Sequence, residues 1–267
     1  MNIVWLYSLV SVFLVSLISF VGLIGFAVRA ERLQKMLIYV ISFSAGALFG
    51  DAFIHLMPEI VRDQGFGVSV SIYLLGGILI FFILEKIVHW QQYHSCENHK
   101  HDHSHIEEIG ELSEKAKKKV KPFAYVNLVG SSLHNLIDGM IIGASYLVNF
   151  QIGLATTIAV ALHEIPHEFG DFSILLHGGF SRRKALFVNF LSGLVSIIGV
   201  VIVLGLGSLV GGLQNIVLPI ATGGFIYVAG SDLIPELHKE SGLKSSIWQV
   251  VSFVFGILVM IAMLALD

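Results

Sequence analysis

Eight stretches of this chain stay apolar for long enough to cross a lipid bilayer, near residues 3–28, 36–57, 66–88, 122–148, 152–177, 184–210, 213–236 and 246–266. Each has roughly the ~20 residues that a spanning helix needs, or more. Hydrocarbon offers no partner for a backbone N–H or C=O, so an open chain crosses it only as helices that satisfy their own. The composition agrees, with 55% hydrophobic and 13% charged residues and a mean hydropathy of +0.82, far from the soluble globular range. These features predict an all-α integral membrane protein with eight transmembrane helices.

Basic residues orient the spans. With the N-terminus outside, only Arg62 of the sixteen Lys and Arg falls in an outer loop. That is a positive-inside pattern, and it puts both termini outside, in a cell (inner) membrane. The first segment lacks the basic n-region of a signal peptide and is expected to remain as a span. One cysteine, Cys96, on the inner side, excludes an intramolecular disulfide.

The longest interruption, residues 91–121, reads QQYHSCENHKHDHSHIEEIGELSEKAKKKVK. Its histidines, His94, His99, His101, His103 and His105, sit among charged residues with almost nothing apolar to bury. This predicts a disordered cytoplasmic loop that binds metal weakly, without fixed geometry.

Sliding the chain on itself by 177 residues lays SAGALFGDAFIHLMPEI (44–60) over ATGGFIYVAGSDLIPEL (221–237). Gly46 then meets Gly223, Ala52 meets Ala229, Leu56 meets Leu233, and Pro58-Glu59 meets Pro235-Glu236, while His55 falls on Asp232. The same offset puts SLISFVG (16–22) over GLVSIIG (193–199). Units five spans apart have opposite orientation, so the pattern is a 3+2+3 inverted repeat, a transporter signature with the substrate expected near the midplane. The chain divides into a first repeat (1–90), the His-rich loop (91–121), two central helices with the metal site (122–178) and the inverted repeat (179–267).

Those central helices hold the residues most costly to place in lipid. The fourth span, SSLHNLIDGMIIGASY (131–146), has His134 and Asp138 four apart on one face, with Asn135 beside them. The fifth has His163 and His167 on one face, and Glu164, Glu168 and Asp171 on the adjoining one. Such side chains in a span need a partner, water or an ion. Imidazole and carboxylate without thiolate suit zinc, iron(II), manganese and similar divalent ions. His134, Asp138, His163 and His167 make one four-ligand set; Asn135, Asp138, Glu164 and His167 make a second beside it. Glu168 and Asp171 approach the cytoplasmic half, where water or the basic loop can pair with them. Pro166 removes a backbone bond and is expected to free a carbonyl at the depth where an ion needs ligands.

HNxxDG in the fourth span and HEIPHEFGDFSILL in the fifth resemble the ZIP family of divalent-metal transporters, in its branch marked by HEIPHE. The resemblance covers nearly the whole chain. It implies a homodimeric carrier that moves zinc, and often iron, manganese or cadmium, toward the cytoplasm by alternating access. The family's metal ligands fall on His134, Asn135, Asp138, His163, Glu164 and His167. A GDAxxH motif near the transport path falls on Asp51 and His55. Apart from the resemblance, Glu168, Asp171, Asp232 (opposite His55 in the repeat) and His177, at the end of the fifth span, are read as further residues of the path. Some members place a carboxylate in the sixth span beside the second metal, where this chain has Asn189 and Ser192. The long extracellular domain of many animal members has no counterpart here. The expected partners are divalent ions, the bilayer and a second copy of the chain, with zinc as cargo, no prosthetic group and no nucleic acid.

HEIPH also fits the HExxH pattern of zinc proteases, in which two His bind zinc and the Glu works on a metal-bound water. An intramembrane metalloprotease is the competing reading, since Ile137-Asp138-Gly139 imitates its LDG-like third ligand. That motif follows HExxH in those proteases and precedes it here, and hydrolysis has no role for Pro166, His134 or Asn135. A metal sensor without transport leaves the repeat unexplained. The sequence therefore reads as a carrier and not an enzyme.

Overall fold

The computed structural model describes residues 3–23, 30–97, 120–207, 212–239 and 242–266, and every regular element among them is helical. Helix α1 (Ile3–Ser16) runs on as a 3-10 turn, Leu17–Leu23. Helix α2 (Ala30–Gly50) passes into a π-helical turn, Asp51–Leu56, and ends with Met57–Gln64. Then come α3 (Val68–Glu97), α4 (Pro122–Val148) and α5 (Phe150–His177). Helix α6 is in two pieces, Arg182–Gly193 and Val195–Gly207. Helix α7 (Gln214–Tyr227) leads into a second π-helical turn, Val228–Leu233, and the short end Ile234–Leu237, and α8 (Leu243–Met263) follows.

Among the described residues, six stretches are long and apolar enough to cross a membrane: Ile3–Val21, Met36–Gln64, Val68–Lys86, Arg182–Gly207, Gln214–Leu237 and Leu243–Met263. Helices α4 and α5 have 27 and 28 residues. At 1.5 Å per residue each is about 40 Å long, so length does not set them apart. What does is the His, Asn, Asp and Glu that interrupt their apolar runs. At its C-terminal end α3 is longer than expected and takes residues 91–97 from the loop. No Gly or Pro stands between Gly77 and Gly110 to stop it. His94 lies on that last stretch, and His99, His101, His103 and His105 lie outside the described residues.

Local chemistry fixes the breaks. Pro122 starts α4, where its missing N–H costs nothing. Asn149 alone separates α4 from α5; its side chain accepts from the Ile152 N–H at 2.8 Å, an N-cap that turns the two helices into a hairpin. Pro58 and Pro235 stand just after the two π turns. Having no N–H, they leave a carbonyl four residues back without its helical bond. The backbone answers by widening: Met57 N–H bonds to Ala52 O and Ile234 N–H to Ala229 O, each five residues back.

Helix α8 packs along α2 and α7 along α3. The backbones touch at glycines: a Cβ on Gly46 would lie 2.0 Å from the Phe253 carbonyl oxygen, and one on Gly77 2.0 Å from that of Ile220. Helix α4 lies against the second piece of α6, where a Cβ on Gly139 would sit 1.9 Å from the Ser196 carbonyl oxygen. Small residues allow this close approach in lipid, where burial of apolar surface between helices drives little. The α4–α5 hairpin is thus held at the centre, in contact with α1 and α6 and with α2, α3 and α7.

Candidate metal centre

One helical turn separates His134 from Asp138, so both reach the same side of α4, toward His163 and Glu164 of α5. The two imidazoles meet with their Nε2 atoms 3.2 Å apart. His134 Nε2 lies 3.6 Å from Asp138 Oδ2 and 3.6 Å from Glu164 Oε1; His163 Nε2 lies 3.4 and 3.6 Å from the same two oxygens. All four donor atoms fall within 4.8 Å of one another. In a tetrahedral zinc site with bonds of about 2.0–2.2 Å, neighbouring donors stand about 3.3–3.6 Å apart. Five of the six edges of this group match that spacing within about 0.1 Å, before any ion draws them in.

The polar chemistry fits as well. Asp138 and Glu164 are 2% exposed, yet neither oxygen of Asp138, nor Oε1 of Glu164, has a hydrogen-bond donor among the described residues. Buried acceptors in that condition are costly, and a cation among them removes the cost. Nδ1 of His163 faces the Ala159 carbonyl at 3.3 Å. With the proton on Nδ1, Nε2 keeps its lone pair for the centre, as metal-binding imidazoles are usually held.

A cavity of about 540 Å³ opens against the cluster and runs toward the C-terminal end of α5, past His167, Asp171 and Ile174. Asp232 and Glu236 line it from α7. Side-chain exposure climbs along it, from 1% at His163 through 21% at His134 and 28% at His167 to 44% at Asp232. The cluster is therefore closed on the His163 side and opens into the cavity on the His134 side.

The expected residues divide accordingly. Glu164, not His167, completes the set of four. His167 stacks on the His134 ring at 5.0 Å between centroids and turns its Nε2 to Asp232 Oδ2, 3.3 Å away. Asn135 lines the cavity and gives its amide to the Ser131 carbonyl at 3.0 Å. Asp171 lines it too, accepting from Asn127 at 2.8 Å. His177 ends α5 in the open, with Nδ1 2.9 Å from the Ser173 carbonyl. Glu168, expected along the path, faces the other way: Ser19 donates to one oxygen at 2.6 Å and Asn189 to the other, so it ties α5 to α1 and α6. Asp51 and His55 sit together in the first π turn, 3.6 Å apart and buried, away from the cavity. The carbonyl that Pro166 was expected to free for an ion is Leu162, and it is taken: Ser44 Oγ donates to it at 2.6 Å.

Sequence reasoning passed over Glu85, Tyr227 and Glu236, all of which line the cavity, with Tyr227 donating to Glu85. Glu236 stood in the repeat match beside Pro235, which was the available signal. Glu85 was hidden at the end of an apolar run, next to Lys86.

A family model described as ZIP Zinc transporter matches residues 2–264. The chain is 31% identical to zinc transporter zipt-7.1 of Caenorhabditis briggsae, over 97% of its length and 76% of the relative's. It is 31% identical to the zinc transporter ZIP13 homolog of Drosophila melanogaster, over 86% and 78% of the two chains. To zinc transporter ZIP13 of Gallus gallus it is 29% identical, over 96% and 83%.

Proposed function

Because the chain belongs to the ZIP zinc transporter family, we propose that it moves zinc across a membrane into the cytoplasm, passing the ion through His134, Asp138, His163 and Glu164. The observation behind this reading is the group of four donors at tetrahedral spacing, three of them buried, on helices inside a multi-pass membrane protein. Zinc is the cargo. His167, Asn135 and Asp232 stand next along the wet side, where they receive an ion leaving the four or hold a second one. Asp171 and then His177 lie further toward the basic inner loops, the cytoplasmic side under the positive-inside pattern.

Helices α4 and α5 join the six apolar spans to make eight, with both termini outside. The 3+2+3 inverted repeat is supported by pairing α2 with α8 and α7 with α3, since an offset of 177 exchanges the two pairs. It is supported again by similar glycine contacts: Gly77 meets Ile220 and Gly256 meets Phe43, with Phe43 and Ile220 standing 177 apart and the two glycines 179 apart. A homodimer follows from the family resemblance.

The protease reading lacks support. HExxH chemistry needs both His on the metal and the Glu off it, but here Glu164 stands among the four donors and His167 outside them. The family's relatives are transporters. Proteoliposomes holding a zinc-sensitive dye test the proposal: the purified chain should carry external zinc to the dye, and a protein that binds zinc without raising the internal signal would overturn it.

A further inference from the structure

Arg62, the one basic residue that the positive-inside count leaves on the outer side, is paired with Glu59. Moved by 177 residues, Glu59 and Arg62 fall on Glu236 and Lys239, and those two also form an ion pair. The local backbone corresponds as well. The π turns Asp51–Leu56 and Val228–Leu233 coincide residue for residue at that offset, each closed by the equivalent five-residue bond. So does the packing of the helices that hold them, α2 on α8 and α7 on α3.

Burial of the two carboxylates differs, and Arg62 also lies 3.7 Å from Asp63. Arg62 and Lys239 are equally open, at 67% and 68%. Glu236 is 45% exposed and lines the cavity with Asp232, whereas Glu59 is 7% exposed and His55, the counterpart of Asp232, 4%. One arrangement thus occurs twice, open at the inner end and shut at the outer.

We propose that Glu59 and Arg62 are the outer gate of the ion path, shut in this conformation, and that opening it exposes Glu59 and His55 to a divalent cation bound for the four donors. The inference rests on the transporter reading. Carboxylate and imidazole are donors of the type found at the centre, and the Arg62 guanidinium competes with the cation for Glu59. When the gate opens, the inner end around Asp232 and Glu236 closes, because the two halves exchange conformations. The lone exception to the charge pattern thereby has a purpose: Arg62 stays outside because the gate needs a cation of its own.

The test uses the full chain in oriented proteoliposomes, with Cys96→Ser removing the native thiol and His55→Cys as reporter. A membrane-impermeant thiol reagent is added from the outer side. Arg62→Ala should speed labelling by about fivefold, the effect of losing one ion pair, and Arg62→Lys should not. In Arg62→Ala, labelling of Asp232→Cys from the inner side should slow. Ile60→Cys, 1% exposed in the same stretch, replaces the reporter if His55→Cys does not fold. Unchanged outer labelling in Arg62→Ala, an equal rise in Arg62→Lys, or a rise without the fall at Asp232→Cys would each overturn the gate. Zinc uptake by the Cys96→Ser parent is read in parallel. Its absence would count against the transporter reading, while the labelling still decides the gate.

Discussion

The Ser44 hydroxyl of α2 donates to the Leu162 carbonyl of α5 at 2.6 Å, where an unbroken α-helix would bring the amide of residue 166. It is the shorter of two carbonyl contacts of that hydroxyl, the other being Val40 at 2.8 Å. A neighbouring helix thus completes the hydrogen bonding that Pro166 interrupts one turn from the metal centre. Pro219 in α7 is treated alike, since Gln64 donates to the Asn215 carbonyl at 3.0 Å.

Ser44→Ala should therefore lower stability by about 1–3 kcal/mol, because a buried carbonyl loses its donor. Pro166→Ala supplies an amide, so the double variant should recover most of the loss. Thermal unfolding of the detergent-purified chain measures both, and equal losses in the single and double variants would refute the relationship.

His163→Ala should cut zinc uptake by more than about tenfold, at least what losing an outer-shell partner costs a metal site. Expression should persist, since alanine favours helix. Asp138→Asn should do the same while keeping the side chain's shape. His167→Ala should cost less, because its ring stands outside the four donors. Dye uptake at matched protein density checks the order, and equal losses for His163→Ala and His167→Ala would contradict the ligand set.

Acid should slow uptake. The four donors take a metal only when deprotonated, so protons and zinc compete for His134, Asp138, His163 and Glu164, and binding weakens as pH falls. Flux should drop when both sides go from about pH 7.5 to about pH 5.5, which raises the proton concentration about a hundredfold. A flat profile would contradict proton competition at these donors.

Replacing His94, His99, His101, His103 and His105 together by Ser should leave initial zinc uptake within about threefold, because the midplane ligands are untouched. Zinc binding by the isolated 91–121 peptide should weaken far more. Abolished transport with normal expression would place these histidines on the obligatory path.

Much of the fold could be read from apolar length. Pro122–Val148 was bounded to the residue, since Pro122 and Asn149 are start and stop signals that act locally. The C-terminal end of α3 was not, because nothing in QQYHSCE forbids helix. At the candidate metal centre, spacing four apart grouped His134, Asp138 and His163 with His167, whereas the structure gathers the first three with Glu164. Helical periodicity ranks faces of one helix; which face meets α4 depends on how α5 lies against α2, α1 and α6. Glu168 was misjudged for the same reason, since its partners, Ser19 and Asn189, are distant in sequence.

Among the four donors, two are acids, Asp138 and Glu164. Two carboxylates around one dication sum to zero, so the loaded centre presents no net charge to the membrane voltage. Each uncompensated elementary charge would feel about 2.3 kcal/mol per 100 mV. A monovalent ion would leave the centre one charge negative and a trivalent ion one charge positive, in surroundings that solvate neither. Under the proposed passage through these four donors, valence would be discriminated apart from donor type, and the step that shifts the loaded centre should run at nearly the same rate whatever the potential across the bilayer.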